Sequence, residues 1–370
     1  MVTWAELAGR SLARQFPTDI YPGDVTALIG RIGPLQTQTA RAAFLGAAAR
    51  LPGVTKQQVT AAYESWAIVR GSTLRGTVHT STPELHALLE AATRVGQRSL
   101  WQRSLKPERV SLEQIWAGIE AFAADQWRTP TELAEHLRGW LAQHDPGARP
   151  SFSGTSERYF AFGHGGLIRR PIKGDWAGQG PPEYRTAAAV VGDRSAVLAD
   201  SDAALDALFV HQIGAAGPLS RNDLAWWAGV GLTRVDQSLA RLGLPGEPGP
   251  DGRIYHDLPD GAGPASVPGV RLLPEFDALF CAFDPASRVR FVDAEHYDIL
   301  WKQDNGLLLA PVLLDDRLRG HWRLSGTGRR RVLEITWFPG ARRIADDQLP
   351  VSAVEAALDV AVSAVRTERL

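Results

Sequence analysis

Gly217-Pro218-Leu219-Ser220-Arg221-Asn222-Asp223-Leu224-Ala225-Trp226-Trp227-Ala228-Gly229-Val230-Gly231-Leu232 decides how this chain folds. Residues 220–228 have the length and apolar spacing of a short helix. The Gly-Val-Gly run is a tight turn, and residues 232–242 resume the helical period. Residues 203–213 supply a helix in front, and a Pro/Gly loop with the β-prone Arg253-Ile254-Tyr255-His256 follows behind. That succession is a helix-turn-helix with a wing. Trp226 and Trp227 fall on the apolar face of the second helix, where core packing is expected before base stacking.

The outline recurs upstream. Thr3-x-x-Glu6, Thr55-x-x-Gln58, Ser111-x-x-Gln114 and Thr129-Pro130-x-Glu132 are capping boxes that open helices. Helices are predicted near 4–15, 25–32, 39–50, 56–66, 83–95, 112–124 and 130–142. After the fourth comes Ile68-Val69-Arg70-Gly71-Ser72-Thr73-Leu74-Arg75-Gly76-Thr77-Val78-His79, two β-prone pieces around a Gly-Ser turn and hence a hairpin. Residues 111–186 hold two capped helices and a Gly-rich turn before Leu167-Ile168-Arg169-Arg170, and form a degenerate further copy. A Pro/Gly-rich linker spans 244–268. Beyond it, strands are predicted at 270–273, 291–292, 307–314, 317–324 and 329–338, and an apolar helix from 351 to about 365. The class is α+β, with tandem helix-turn-helix units and a β-rich C-terminal unit.

Composition narrows the chemistry. A chain of 370 residues with 44% hydrophobic and 22% charged residues is an ordinary globular protein with room for two or three domains. Cys281 is the single cysteine, which excludes an internal disulfide and a cysteine metal cluster and suits the cytoplasm. No apolar run is long enough to cross a bilayer, and the N-terminus, with Glu6, Arg10 and Arg14, lacks an apolar signal region. The nine His are scattered without an HExxH spacing, so no metal and no cofactor are expected. His86 and His136 are placed on helices as surface or half-buried residues. Gly163-His164-Gly165-Gly166 lacks the Lys-Ser/Thr of a phosphate loop, and no GxSxG elbow occurs. Net charge is −1, but residues 1–110 carry 13 basic against 7 acidic side chains, and residues 187–265 carry 5 against 10. The N-terminal third can therefore present a basic face to nucleic acid.

Two sets of side chains stand out. Gly33-Pro34-Leu35-Gln36-Thr37-Gln38 puts two carboxamides two residues apart after a helix-stopping Gly-Pro pair. A carboxamide accepts through oxygen and donates through nitrogen without titrating, so Gln36 and Gln38 could position a water. A plain surface loop is the alternative. The second set is basic: Arg329, Arg330 and Arg331 follow the turn Ser325-Gly326-Thr327-Gly328, with Arg319 and Arg323 on the partner strand. Strand alternation leaves at least two of the three guanidiniums in solvent, for DNA or for protection of a sheet edge. Arg75 and His79, on the first hairpin, could meet a phosphate or a lesion, or serve packing and the turn.

Several segments together resemble the AlkZ/YcaQ-like DNA glycosylases. They are Leu35-Gln36-Thr37-Gln38 with Ala42-Ala43-Phe44-Leu45 and Arg50-Leu51-Pro52, then Thr73-Leu74-Arg75-Gly76-Thr77-Val78-His79, then residues 217–227. Leu272-Leu273-Pro274-Glu275-Phe276-Asp277, Ala310-Pro311-Val312-Leu313-Leu314-Asp315 and Gly320-x-Trp322-Arg323 complete the series. The AlkZ branch carries a Gln-aliphatic-Gln catalytic motif, matched by Gln36 and Gln38, with Thr37 departing from the aliphatic middle. The resemblance implies winged helices at 1–110, 111–186 and 187–265 in a C shape, and a C-terminal unit at 266–370 whose hairpin probes DNA. It implies a monofunctional glycosylase, monomeric, that hydrolyses N7- or N3-alkylated purines in double-stranded DNA. Bulky adducts and interstrand crosslinks made by the producer's own toxic metabolite are among its implied substrates. The alternatives are a non-catalytic winged-helix regulator and a drug-sequestering resistance protein.

Overall fold

The computed structural model describes residues 1–148, 155–302 and 307–370. The helix starts follow the capping logic. Thr3 opens α1 (Trp4–Gln15), Thr55 opens α4 (Lys56–Glu64), Ser111 opens α6 (Leu112–Phe122) and Thr129 opens α7 (Pro130–His144), each with the reciprocal box formed. Such a cap is worth about 1 kcal/mol. Between them lie α2 (Val25–Ile32), α3 (Ala42–Arg50) and α5 (Pro83–Leu105). The last runs ten residues beyond the predicted end because Trp101 and Leu105 are fully buried and anchor its final turns.

One arrangement occurs three times. In the first, β1 (Leu35–Gln36) follows α2, α3 and α4 come next, and β2 (Val69–Ser72) and β3 (Val78–Ser81) close the unit, with strand order β1-β3-β2. In the middle copy α6, α7 and α8 (Thr155–Phe162) precede β4 (Leu167–Pro171) and β5 (Pro182–Thr186). There the first strand is reduced to a single antiparallel bridge, Arg128 with Tyr184, so the order is again first-third-second. The short helices α9 (Ala187–Val191) and α10 (Ser195–Ala199) lead to the last copy: α11 (Ser201–Ala216), β6 (Leu219–Ser220), α12 (Arg221–Ala228), α13 (Leu232–Leu242), β7 (Gly246–Pro248) and β8 (Ile254–His256), in the order β6-β8-β7. A repeated sequence signal underlies the outer two: Ile29-Gly30-x-x-Gly33-Pro34-Leu35 and Ile213-Gly214-x-x-Gly217-Pro218-Leu219. A Cβ on Gly33 would lie 2.4 Å from the Ile29 carbonyl oxygen, and one on Gly217 would lie 2.5 Å from that of Ile213. Both turns therefore need glycine.

The first two copies share a sheet, because β2 and β4 pair at Gly71 and Ile168 and give the order β1-β3-β2-β4-β5. Gly71 makes the joint possible: a Cβ there would meet the His86 ring at 2.6 Å and the Leu167 carbonyl oxygen at 3.0 Å. His86 is thus fully buried, where a surface or half-buried position was expected. Trp227 packs in the core as predicted, while its neighbour Trp226 is 39% exposed.

The C-terminal part is a second five-stranded sheet. After β9 (Val270–Leu272) come α14 (Ala278–Cys281), α15 (Ala294–Leu300) and the small pair β10 (Trp301–Lys302) and β11 (Leu307–Leu308). Then follow β12 (Ala310–Leu314), β13 (Arg317–Ser325), β14 (Arg330–Trp337), α16 (Val351–Leu358) and β15 (Ala361–Arg369), in the order β15-β14-β13-β12-β9. Two expectations are corrected. Phe291 and Val292 are not a strand; they leave a 3-10 turn at Pro285–Arg290 and are buried. The predicted closing helix stops at Leu358, where Asp359 takes a left-handed conformation, and alternating Val362, Ala364 and Arg366 continue as a strand parallel to β14. The run is rich in β-branched residues, and β14 offered an unpaired edge. A fully buried pair, Arg50 on Asp277 at 2.8 Å and 2.9 Å, ties this part to the first unit.

Candidate active site and nucleic-acid interface

Strand β1 aims the two glutamines. It pairs with β3 at Leu35 with Thr80 and Gln36 with His79, so Thr37 and its neighbours point to opposite sides. Thr37 is buried. Its hydroxyl lies 3.1 Å from that of Thr80, which in turn bonds the Tyr63 hydroxyl at 2.6 Å, and Arg70 donates to its carbonyl at 2.6 Å. A threonine therefore suits this inward position, because the wall it faces is polar. Gln36 is left half-buried and Gln38 exposed. Five residues, 37–41, separate β1 from α3, whereas β6 runs straight into α12. The glutamine loop is that insertion.

Each amide is held by its oxygen. The Gln38 Oε1 accepts from the Val78 amide at 3.2 Å, and the Gln36 Oε1 accepts from Arg75 Nη2 at 3.1 Å. Arg75 sits in the turn Leu74–Gly76 with a left-handed φ of 55° and sends its other arm to the carbonyl of Trp227. It is half-buried, and desolvation lowers its pKa. Its side-chain hydrogen bonds go to neutral oxygens, so this cation is spent on orienting Gln36 and joining the first and last units. His79 is 2% exposed, donates or accepts through Nδ1 with the Thr73 hydroxyl at 2.8 Å, and is pushed by burial to a pKa of about 3. A direct phosphate contact is closed to it here; it braces the hairpin beneath Arg75. His211 on α11 bonds the Gly33 carbonyl at 2.8 Å and fixes the turn ahead of Gln36.

One space adjoins Gln36 and a second opens one residue past Gln38. Behind Gln36 a narrow crevice, walled by Pro34, Arg75, His79, Gln212, Trp227 and Phe276, leaves about 10 Å³ for the centre of a water. Past Gln38 an open groove of about 560 Å³ begins at Thr39. Its lining includes Arg41 and Lys56, Asp175 and residues 177–179 of the β4–β5 loop, and Leu324, Gly328, Arg329 and Arg331. The β4–β5 loop is held there by Trp176, stacked on Tyr63 at 4.5 Å.

The basic hairpin joins β13 to β14. Arg329 is 77% exposed beside Asp359, Arg323 is 75% exposed beside Glu334, and Arg331 donates to the Gly326 carbonyl. Arg330 is exposed and makes no ion pair among the described residues. Arg319 stands apart: with Arg317 it is bound to Asp293, at 2.6 Å, away from the tip. Groups of three or more metal-ligating side chains are absent among the described residues. Sequence reasoning passed over His211, Gln212, Arg41 and Lys56; the repeated Ile-Gly-x-x-Gly-Pro-Leu signal would have pointed to the helix bearing the first two.

A family model described as DNA glycosylase AlkZ-like matches residues 29–367. Among solved structures, the chain is similar to the DNA glycosylase AlkZ of Streptomyces sahachiroi, with a TM-score of 0.79, 17% identity and 99% of each chain covered. No curated protein matches it.

Proposed function

The chain belongs to the AlkZ-like DNA glycosylase family and is a DNA glycosylase, and on that premise we propose that Gln36 and Gln38 catalyse hydrolysis of N7- or N3-alkylated purines in duplex DNA. Alkylation makes the purine cationic and weakens its glycosidic bond. As C1′ separates from the base, the bond's electron pair goes to the base, which leaves neutral, and positive charge develops on the sugar. A water then bonds to C1′ and releases its proton to solvent. The amide oxygens of Gln36 and Gln38 each keep a second lone pair for that water or for the sugar cation. Positioned groups of this kind contribute ~10²–10⁴-fold.

The observation that carries the reading is a water-sized crevice lined by Gln36 together with an open groove that begins at Thr39, the residue after Gln38. An enzyme that swallowed a flipped base would need an enclosed purine-sized pocket. An open groove instead tolerates bulky adducts and a base still tethered to the other strand. We therefore include interstrand crosslinks among the substrates, with self-resistance to a genotoxic metabolite as the biological role. The three repeated units act as tandem winged helices in a C shape, over 1–110, 111–186 and 187–265. Residues 266–370 present the hairpin 325–331 to DNA, and the protein works as a cytoplasmic monomer. The test is release of 7-methylguanine from a duplex, with a crosslinked duplex second. Gln36→Ala and Gln38→Ala should each lose release while still binding DNA. Release at the wild-type rate by both variants would refute the assignment, and binding without release by the wild type would return the protein to a regulator.

A further inference from the structure

The crevice behind Gln36 contains a third carboxamide with no assigned task. Gln212, on α11, is 3% exposed and lines the crevice, and its side chain makes no hydrogen bond among the described residues. Its neighbour His211 is clamped to the Gly33 carbonyl at 2.8 Å, so the helix is fixed against the turn that carries Gln36. Burying a carboxamide without partners is costly, and buried polar groups are satisfied by protein or by ordered water. Apolar Pro34, Trp227 and Phe276 line the crevice beside polar Gln15, Arg75 and His79, and the free space of about 10 Å³ is close to what one water centre requires.

We propose that Gln212 is a positioning residue for Gln36, acting through one ordered water in this crevice. The inference rests on Gln36 being catalytic. Arg75 already occupies the Gln36 Oε1 side at 3.1 Å. The water accepts from Gln36 Nε2 and donates to Gln212 Oε1, which holds the amide from its other end. The Gln36 plane is then set from both sides, and its remaining oxygen lone pair keeps a single direction. Holding a reacting geometry in this way affects the rate of the chemical step and leaves DNA affinity alone.

The experiment compares Gln212→Met, similar in volume but without hydrogen-bonding capacity, with the wild type in single-turnover release of 7-methylguanine at saturating enzyme. The expected result is a loss of roughly 10- to 100-fold in rate, an unchanged Kd for the duplex, and no further loss when the change is made on top of Gln36→Ala. A folded Gln212→Met protein with the wild-type rate overturns the inference, as does an additive loss in the double variant. An inactive Gln36→Ala enzyme beside a fully active Gln212→Met enzyme removes this inference alone; a fully active Gln36→Ala enzyme removes the site itself. Should Gln212→Met not fold, a high-resolution crystal structure of the wild type decides. Density for one water between Gln36 and Gln212 supports the proposal, and a dry crevice or a direct amide–amide bond overturns it.

Discussion

Arg75→Met separates orientation from affinity. In the structure Arg75 forks between the Trp227 carbonyl and the Gln36 Oε1, the second at 3.1 Å, and desolvation lowers its pKa. A hydrogen bond from a charged donor is worth roughly 1.5–3 kcal/mol. Methionine fills much of the same volume and abolishes both bonds, but it also removes the cost of burying a guanidinium away from carboxylates. The two effects oppose each other, so net stability should change by less than about 2 kcal/mol. The catalytic consequence has no such offset. If the bond to Gln36 serves to fix its amide, losing 1.5–3 kcal/mol of that fixation slows the chemical step by roughly 10- to 150-fold, since about 1.4 kcal/mol is tenfold. The assay is single-turnover release of 7-methylguanine at saturating enzyme, with thermal melting and a binding isotherm alongside. Arg75→Lys should fall between, because one compact ammonium cannot reach both oxygens. An unchanged saturating rate in a folded Arg75→Met protein would refute the reasoning. If affinity dropped instead, with a flatter salt dependence, Arg75 would be a phosphate contact after all.

Two further outcomes are expected. Arg330 is exposed without an ion pair among the described residues, so Arg330→Gln should leave melting unchanged and flatten the plot of log affinity against log salt by about 0.9 if it meets one phosphate; an unaltered slope would take the hairpin tip off the DNA. His86, driven by burial to a pKa of about 4, stays neutral in the fold while the unfolded chain titrates near ~6.5. Between those values the unfolded state binds more protons, so this contribution is complete above about pH 6.5 and is lost as pH falls toward about 4, up to roughly 3 kcal/mol. His79 acts in the same direction. Denaturant titrations at about pH 7.5 and about pH 5 should show the loss, and His86→Gln should reduce it; equal pH dependence in both proteins would contradict the assignment.

What the sequence reveals follows the range of the forces involved. Capping boxes are local, and Thr3, Thr55, Ser111 and Thr129 each open the helix their spacing announces. The hairpin at 69–81 and the turn at 325–328 are equally local. The burial of His86 depends instead on β4 reaching Gly71 from a hundred residues away, and nothing in the neighbourhood of His86 signals that. The closing segment shows a different limit: residues 360–365 are apolar enough for a helix, and the exposed edge of β14 decides for a strand. For His79 the hairpin pattern leaves both a phosphate contact and a packing role open, and in the fold packing covers it.

The repeat also explains why only one copy bears the glutamines. At the place of Gln36 the last unit has Ser220, whose hydroxyl and amide are both committed to Asp223 in capping α12. That helix starts at the next residue, which leaves no loop in which a second polar side chain could stand free. The middle unit has Arg128 there, its backbone bridged to Tyr184 and its Nε donating to the Phe122 carbonyl. In the first unit residues 37–41 intervene, and Arg41, at the N-cap of α3, makes no side-chain cap. The helix start makes no claim on Gln36 or Gln38, so their amides remain available to Arg75, to the Val78 amide and to whatever enters the groove. Shortening this loop to the length of its counterpart would convert the position into an N-cap. The fold would survive that change and the chemistry would not, because capping and water positioning compete for the same lone pairs.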